Sequence, residues 1–205
     1  MGMYLALANV SDAAIERLLA DPPLVWQILE PDDPNAVAAA RERPPGPGFF
    51  GRLLGRKAPP PPPAPPPLEL QPREGDLGPD GDLEKSWQGI HYLLTGTAWE
   101  GDPPLNFLLA GGRELDIEIG LGPPRTHTAA ETRVIDTAFA GMDDAELRRR
   151  YAPEEMTRLE IYPGVWDRDP PGDDTLGHLL DGVAVLRSGL ARVVGQGHGL
   201  LIVHT

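Results

Sequence analysis

Four polar side chains in otherwise apolar segments have types and spacings that could do chemistry. His91 lies in "KSWQGIHYLLTG" (85–96), one helical turn after Trp87, and a histidine facing a cleft can act as a general base. Asp116 and Glu118 alternate with apolar residues in "ELDIEIGLG" (114–122), so a strand would present both carboxylates on one face, where they could orient that histidine. The alternative is structural: a packed, hydrogen-bonded histidine and a solvent-facing pair of carboxylates give the same pattern.

Arg125 is the fourth of these side chains, and it suggests an anion site. It follows the turn "GLGPP" and precedes a helix that Thr128 is expected to cap. Free N–H groups at the start of a helix attract anions. A guanidinium can donate two parallel hydrogen bonds to one phosphate or carboxylate group. The segment matches neither a Walker loop nor G-x-G-x-x-G. A local ion pair of Arg125 with Asp116 or Glu118 is the alternative.

Five further residues are ligand-binding candidates because they are polar or aromatic within apolar segments. They are Trp87, Asn106, Arg113, Tyr162 and Trp166. The last two belong to "IYPGVWD", an irregular stretch that could form the wall of a pocket, anchor an interface or cover an edge of the core.

Other kinds of site have little support in the sequence. The chain has no cysteine, which excludes disulfides and thiolate ligands. Its five histidines show no pair at a metal-binding spacing, and the acidic run 167–174 lacks the calcium-loop pattern. We therefore predict neither a metal nor a cofactor.

Charge argues against nucleic acid as a partner. The formal net charge is −13, and a surface this acidic is repelled by phosphate backbones. The same charge would suit a basic protein partner. No apolar run reaches the ~20 residues of a membrane span, and the N-terminal residues have no signal-peptide pattern. We expect a cytoplasmic protein without a transmembrane segment.

The periodicities predict an α+β fold, a helix-rich single domain with a small sheet that includes the N- and C-terminal strands. Strands are predicted at 3–10, 114–122 and 199–205, and the terminal two are expected to be neighbours. Helices are predicted to start at Ser11, Asp21, Asp82, Asp102, Thr128, Asp143, Pro153 and near Asp174.

One segment does not fit this core. Residues 41–80 hold thirteen of the 25 prolines, which favours extended polyproline II over packed structure. We predict one domain over 1–205 with 41–80 as an insertion or flexible loop. Within it, "GFFGRLLGRK" (48–57) could fold back onto the domain or dock on a partner.

Several motifs in this order resemble the YfbM-like family of bacterial proteins, a domain of unknown function. They are "GMYL", "KSWQGIHYLLTG", "PLNFLLAGG", "IGLGPPR", "RRRYAPEEM" and "IYPGVW". The resemblance implies a compact α+β bacterial domain without an established activity. Two motifs differ from the family pattern: Gln88 stands where "SWHGIH" would have a histidine, and "IGLGPPR" stands where "VGYGPAR" is typical.

Two functions remain open. The first is a non-enzymatic protein-interaction domain, such as an inhibitor or immunity factor, and it rests on the acidic charge. The second is a small-molecule site for an anionic ligand, or a hydrolytic site, between the helix of Trp87 and His91 and the turn from Gly120 to Arg125. The sequence favours the first slightly.

Overall fold

A four-stranded sheet joins the two ends of the chain. The computed structural model describes residues 3–42, 68, 83, 85–166 and 174–204. Its strands are β1 (Leu5–Val10), β2 (Arg113–Glu114), β3 (Arg125–His127) and β4 (Gly199–His204). The order is β1-β4-β3-β2, and every pairing is antiparallel. The predicted α+β fold, with the terminal strands side by side, is confirmed.

Helices supply most of the remaining described structure. They are α1 (Asp12–Ala20), a 3-10 turn (Pro22–Val25), α2 (Trp26–Leu29), α3 (Ala36–Glu42), α4 (Trp87–Thr95), α5 (Ala129–Ala140), α6 (Asp144–Arg150), α7 (Pro153–Arg158) and α8 (Thr175–Gly195). None of these helices is both long and apolar enough to cross a membrane.

The sheet separates two apolar cores. Alternate residues of a strand point to opposite faces. Leu5 and Leu7 therefore join Ile202 in the core formed with α4, α5 and α8, whereas Val10 and Val203 join the core formed with α1, the 3-10 turn and α2. Because both faces are covered, β1 and β4 are apolar except for Asn9 and His204, and their sequences do not alternate with polar residues.

Capping residues start most of the longer helices where the sequence places them. The Ser11 hydroxyl accepts a hydrogen bond from the Ala14 amide at 3.2 Å, and Thr128 and Glu131 form the reciprocal capping box of α5. Asp143 and Asp174 cap α6 and α8 in the same way. These are local interactions, which is why a single sequence reveals them.

The strand predicted over 114–122 is wrong. Only Arg113 and Glu114 pair with β3, and the chain then folds back through Gly120 and Gly122, whose φ angles are positive. Leu115 and Ile119 are buried in the α1-side core. The apolar alternation therefore comes from a compact turn that inserts two side chains into that core, and the strand proper begins at Arg125.

Two of the predicted helix starts, Asp102 and Asp21, also differ from the structure. After Asp102 the chain forms successive turns instead of a helix. Asp21 makes no side-chain cap and instead pairs with Arg41 at 2.6 Å, while the segment after it splits into the 3-10 turn and α2. The predicted cap Asp82 and the motif at 48–57 lie outside the described residues.

Gly89 provides a test of how tightly α4 packs. A β-carbon at this position would lie 2.6 Å from Trp166 Cη2 and 2.9 Å from Leu179 Cδ2. Gly89→Ala should therefore lower the free energy of unfolding by about 1–3 kcal/mol despite the better helix propensity of alanine. Urea denaturation measures the change.

Gly195, at the end of α8, is the matched control because nothing lies within 4 Å of a β-carbon there. Gly195→Ala should leave stability unchanged or raise it slightly. Equal stability of the Gly89→Ala variant and the wild type would contradict the close packing.

Candidate functional site

Helix α4 is buried on every side, including its polar residues. Trp87 and His91 are fully buried, and Gln88 is 1% exposed. The Gln88 amide group donates to the Ala98 carbonyl at 3.0 Å and accepts from the Tyr162 amide at 2.8 Å. The helix therefore holds two loops through these hydrogen bonds, the loop 96–101 that follows it in the chain and the distant segment 161–166.

His91 belongs to this scaffold. Its Nε2 lies 2.8 Å from the Glu100 carbonyl oxygen, and its Nδ1 has no hydrogen-bond partner among the described residues. Burial lowers the pKa of His91 to about 4, an effect that the nearby Arg125 charge reinforces and the Glu100 hydrogen bond opposes. The ring is therefore neutral at pH 7 and holds the loop that follows α4.

A cavity of about 510 Å³ opens beside α4, at the edge of the sheet. It is lined by Met3, Trp87, Trp99, Leu109, Glu114, Leu121, Gly122, Pro123, Arg125 and His204. These residues come from both ends of the chain, from α4 and its following loop, and from the turn between β2 and β3.

Strand register brings the polar residues of the cavity together. Arg125 lies opposite Ile202 on β4 and opposite Glu114 on β2. His204 is two residues beyond Ile202, so its side chain projects from the same face. Arg125, Glu114 and His204 thus share one face at one end of the sheet.

Aromatic rings form one wall of the cavity. Around Trp87, the ring centroid of His204 is 5.4 Å away in an edge-on arrangement, that of Trp99 is 6.1 Å away, and that of Tyr162 is 6.2 Å away. Trp87 also donates from its indole nitrogen to the Met3 carbonyl at 3.3 Å. Trp99 is 58% exposed, so it stands at the mouth of the cavity while Trp87 lies inside.

Arg125 is the buried cation of the site. Its side chain belongs to a residue only 6% exposed, and one guanidinium nitrogen, Nη2, donates to the Leu108 carbonyl at 2.6 Å. The other, Nη1, has no hydrogen-bond partner among the described residues. Burial lowers the pKa of Arg125 to about 10 and Glu114 partly offsets this, so the group stays charged at pH 7.

Neutral histidines surround that cation. Burial and, after it, the charge of Arg125 lower the pKa of His204 to about 4. Burial and Arg125 also lower the pKa of His127. Both rings have an Nε2 atom without a hydrogen-bond partner among the described residues. Arg125 is therefore the positive charge of the cavity at neutral pH.

The structure brings only two of the sequence candidates into the cavity, Trp87 and Arg125. Asp116 and Glu118 are exposed and do not line it. Arg113 pairs with Glu16 at 2.6 Å, away from the cavity. The general-base arrangement proposed from the sequence does not form, because residues 115–122 are a turn and not a strand.

The other three candidates have local structural partners. Asn106 donates to the Gly101 carbonyl at 2.8 Å, and Tyr162 accepts from the Met3 amide through its hydroxyl at 3.2 Å. Trp166 donates to the Ile161 carbonyl and packs over Gly89. These three residues do not line the cavity, and their contacts stabilise the segments around it.

Sequence reasoning missed three polar or aromatic lining residues: Trp99, Glu114 and His204. A signal existed for His204, a polar residue in an otherwise apolar strand, and for Trp99, a large aromatic in a polar turn. Glu114 has no distinguishing signal, because it is one of three acidic residues that alternate with apolar ones over 114–118.

The assembled residues can bind an anion with an apolar part. They offer a desolvated guanidinium with one unpartnered nitrogen, a carboxylate, a neutral imidazole and indole surfaces. No group of three or more histidine, aspartate or glutamate side chains is placed to hold a metal ion within the part of the chain that the structure describes.

Comparisons with known proteins agree with this fold. A family model described as "Domain of unknown function (DUF1877)" matches residues 1–203. The chain is 30% identical over 128 residues to Protein YfbM of Escherichia coli (strain K12), covering 60% of this chain and 74% of that protein. The crystal structure of YfbM, a protein of unknown function from Escherichia coli, superposes with a TM-score of 0.59 at 19% identity, covering 100% of both chains.

The low pKa of His91 predicts a pH dependence of stability. Its pKa of about 4 in the folded state lies below the usual histidine value of 6.5, so the unfolded state binds the proton more tightly. The free energy of unfolding is therefore highest above pH 6.5 and decreases as the pH falls towards 4, because protonation of His91 then favours the unfolded state. His91→Gln should reduce the loss of unfolding free energy between pH 7 and pH 4.5 by about 2 kcal/mol relative to the wild type. Urea titrations at the two pH values measure this, and equal losses in the two proteins would contradict it.

Proposed function

This chain belongs to the DUF1877 family, a family without an assigned function, and we propose that it binds a small organic anion in the cavity beside α4. The observation that carries the proposal is Arg125, a cavity-lining cation whose buried Nη1 has no hydrogen-bond partner among the described residues. The aromatic wall beside it suits an apolar part of the same ligand.

The energetics of a buried charge support this proposal. An isolated charge in an apolar site costs much free energy unless it is paired or hydrogen-bonded. Arg125 has one hydrogen bond, to the Leu108 carbonyl, and no carboxylate pairs with it among the described residues. A ligand carboxylate or phosphate bound at Nη1 would supply the missing partner.

The size and walls of the cavity are also suitable. A volume of about 510 Å³ falls within the ~300–1,000 Å³ typical of small-molecule sites, which combine apolar walls with a few polar groups. Here the apolar surface comes from Trp87, Trp99, Leu109 and Leu121. The ligand would place its charge on Arg125 and its body against the indoles.

The protein-interaction function stays a prediction. It rests on the net charge of −13, and an acidic surface accelerates association with a basic partner. The inhibitor or immunity role, the cytoplasmic location, and the domain limits of 1–205 with an insertion at 41–80 likewise stay predictions. The contacts of Arg125 favour the ligand site over these as the first function to test.

A thermal-shift panel tests the anion site. The probes are benzoate, 3-phenylpropanoate, phenyl phosphate and inorganic phosphate. A ligand at a hundred times its Kd should stabilise the wild type by about 2.7 kcal/mol, a rise of several degrees in Tm. Arg125→Gln should abolish the shift because it removes the cation.

Arg113→Gln is the matched control, since this arginine lies on the neighbouring strand and pairs with Glu16 outside the cavity. It should keep the shift. Failure of the wild type to bind any probe that carries a carboxylate or phosphate, amino acids included, would overturn the proposed function, as would a shift that persists in Arg125→Gln.

Trp99 tests the apolar part of the site. Trp99→Ala should weaken binding of 3-phenylpropanoate by about tenfold, equivalent to about 1.4 kcal/mol, because it removes one aromatic wall. As Trp99 is 58% exposed, the unfolding free energy should change by less than about 0.5 kcal/mol. Isothermal titration and urea denaturation report the two quantities, and an unchanged affinity would place the ligand body elsewhere.

A further inference from the structure

We infer that the ligand of this cavity is a zwitterion, an α-amino acid with an apolar side chain. The inference rests on the proposed function and adds the chemical class of the ligand. It comes from the relation between Glu114 and Arg125, the two oppositely charged residues that line the cavity.

Glu114 and Arg125 are placed as a pair but do not form one. They are register partners across β2 and β3, so their side chains start from neighbouring positions on one face of the sheet. Side chains in directly opposite positions have β-carbons about 4.5–5.5 Å apart, and opposite charges there usually attract each other into contact. Here no salt bridge joins the two within the part of the chain that the structure describes.

The reason is the way Arg125 is held. Its Nη2 donates to the Leu108 carbonyl at 2.6 Å, which commits the guanidinium to the buried side of the cavity. Glu114 is exposed, although the two charges are close enough for the carboxylate to raise the pKa of Arg125 against the effect of burial. The cavity is thus lined by a largely buried cation with one unpartnered nitrogen and by an exposed carboxylate that does not pair with it.

An α-amino acid has the complementary arrangement. Its carboxylate and ammonium groups are attached to one carbon, so they fit two opposite charges on adjacent strands. The ligand carboxylate would accept from Arg125 Nη1, and the ligand ammonium would donate to Glu114. Charge-assisted hydrogen bonds of this kind are roughly twice as strong as neutral ones.

The rest of the cavity selects the side chain of the ligand. Trp87, Trp99, Leu109 and Leu121 present apolar surface beside the two charges. An aromatic or branched aliphatic side chain would bury itself against that surface, at about 25 cal/mol per Å² of apolar area.

The charge balance disfavours a dianion such as a phosphate ester. Arg125 is the positive charge of the cavity, because the low pKa of His204, about 4, keeps that ring neutral at pH 7. Glu114 would repel a second negative charge on the ligand. A ligand of zero net charge with separated ends matches one cation and one anion.

Isothermal titration with matched probes tests the inference. The probes are L-phenylalanine and L-leucine, each compared with the analogue that lacks the ammonium group, 3-phenylpropanoate or 4-methylpentanoate. The wild type should bind each amino acid at least about fivefold more tightly than its analogue, a difference of about 1 kcal/mol. Glu114→Gln should remove that preference and leave the affinity for the analogues unchanged or higher.

Glu118→Gln is the control. Glu118 is an exposed carboxylate in the turn that follows β2, and it does not line the cavity. It should keep the preference. Equal binding of amino acids and analogues by the wild type, or a preference that survives in Glu114→Gln, would overturn the zwitterion while leaving the anion site intact. If neither class of probe binds the wild type, the proposed function itself fails.

Discussion

The pairing of the terminal strands is the constraint on which the rest of the structure depends. β1 and β4 pair along six residues each, from Leu5 with His204 to Val10 with Gly199, and β4 also pairs with β3. Because β4 lies between the other two strands, both of its faces are covered by helices and it divides the two apolar cores. The last residues of the chain thereby become part of its interior.

The same pairing explains where a polar site can exist. At one end of the sheet β3 has only three residues and β2 only two, so the helices that cover the longer strands leave a gap there. Arg125 lies at this margin: it lines the cavity, is largely buried, and has an Nη1 without a hydrogen-bond partner among the described residues. The guanidinium stays charged at pH 7 because its pKa, which burial lowers to about 10 and the charge of Glu114 partly restores, still lies well above 7, and the Leu108 carbonyl accepts from its Nη2.

Polar groups inside the α4 layer have a different role. Gln88 and His91 are buried, and each hydrogen-bonds to a carbonyl group of the loop 96–101, which ties that loop to the helix. That loop carries Trp99 to the mouth of the cavity. The helix that looked like a catalytic element is thus a support that positions an aromatic wall.

Much of the fold was accessible from the sequence, and little of the site was. The helix starts at Ser11, at Thr128 and near Asp174 were predicted because a capping side chain binds an amide only a few positions along the chain. The segment 114–122 was predicted wrongly because a turn with two buried apolar residues alternates in the same way as a strand.

The sequence by itself determined the α+β class, the terminal strands and their apolar character, the positions of several helix starts, and the family resemblance. Only the tertiary structure decided that Arg125 lies on a strand beside Glu114, that His204 returns from the end of the chain to the same face, and that His91 stays outside the cavity. Those relations depend on strand register, which follows from the face that each strand buries and from the geometry of the connecting turn, and both become visible only when the strands are packed together.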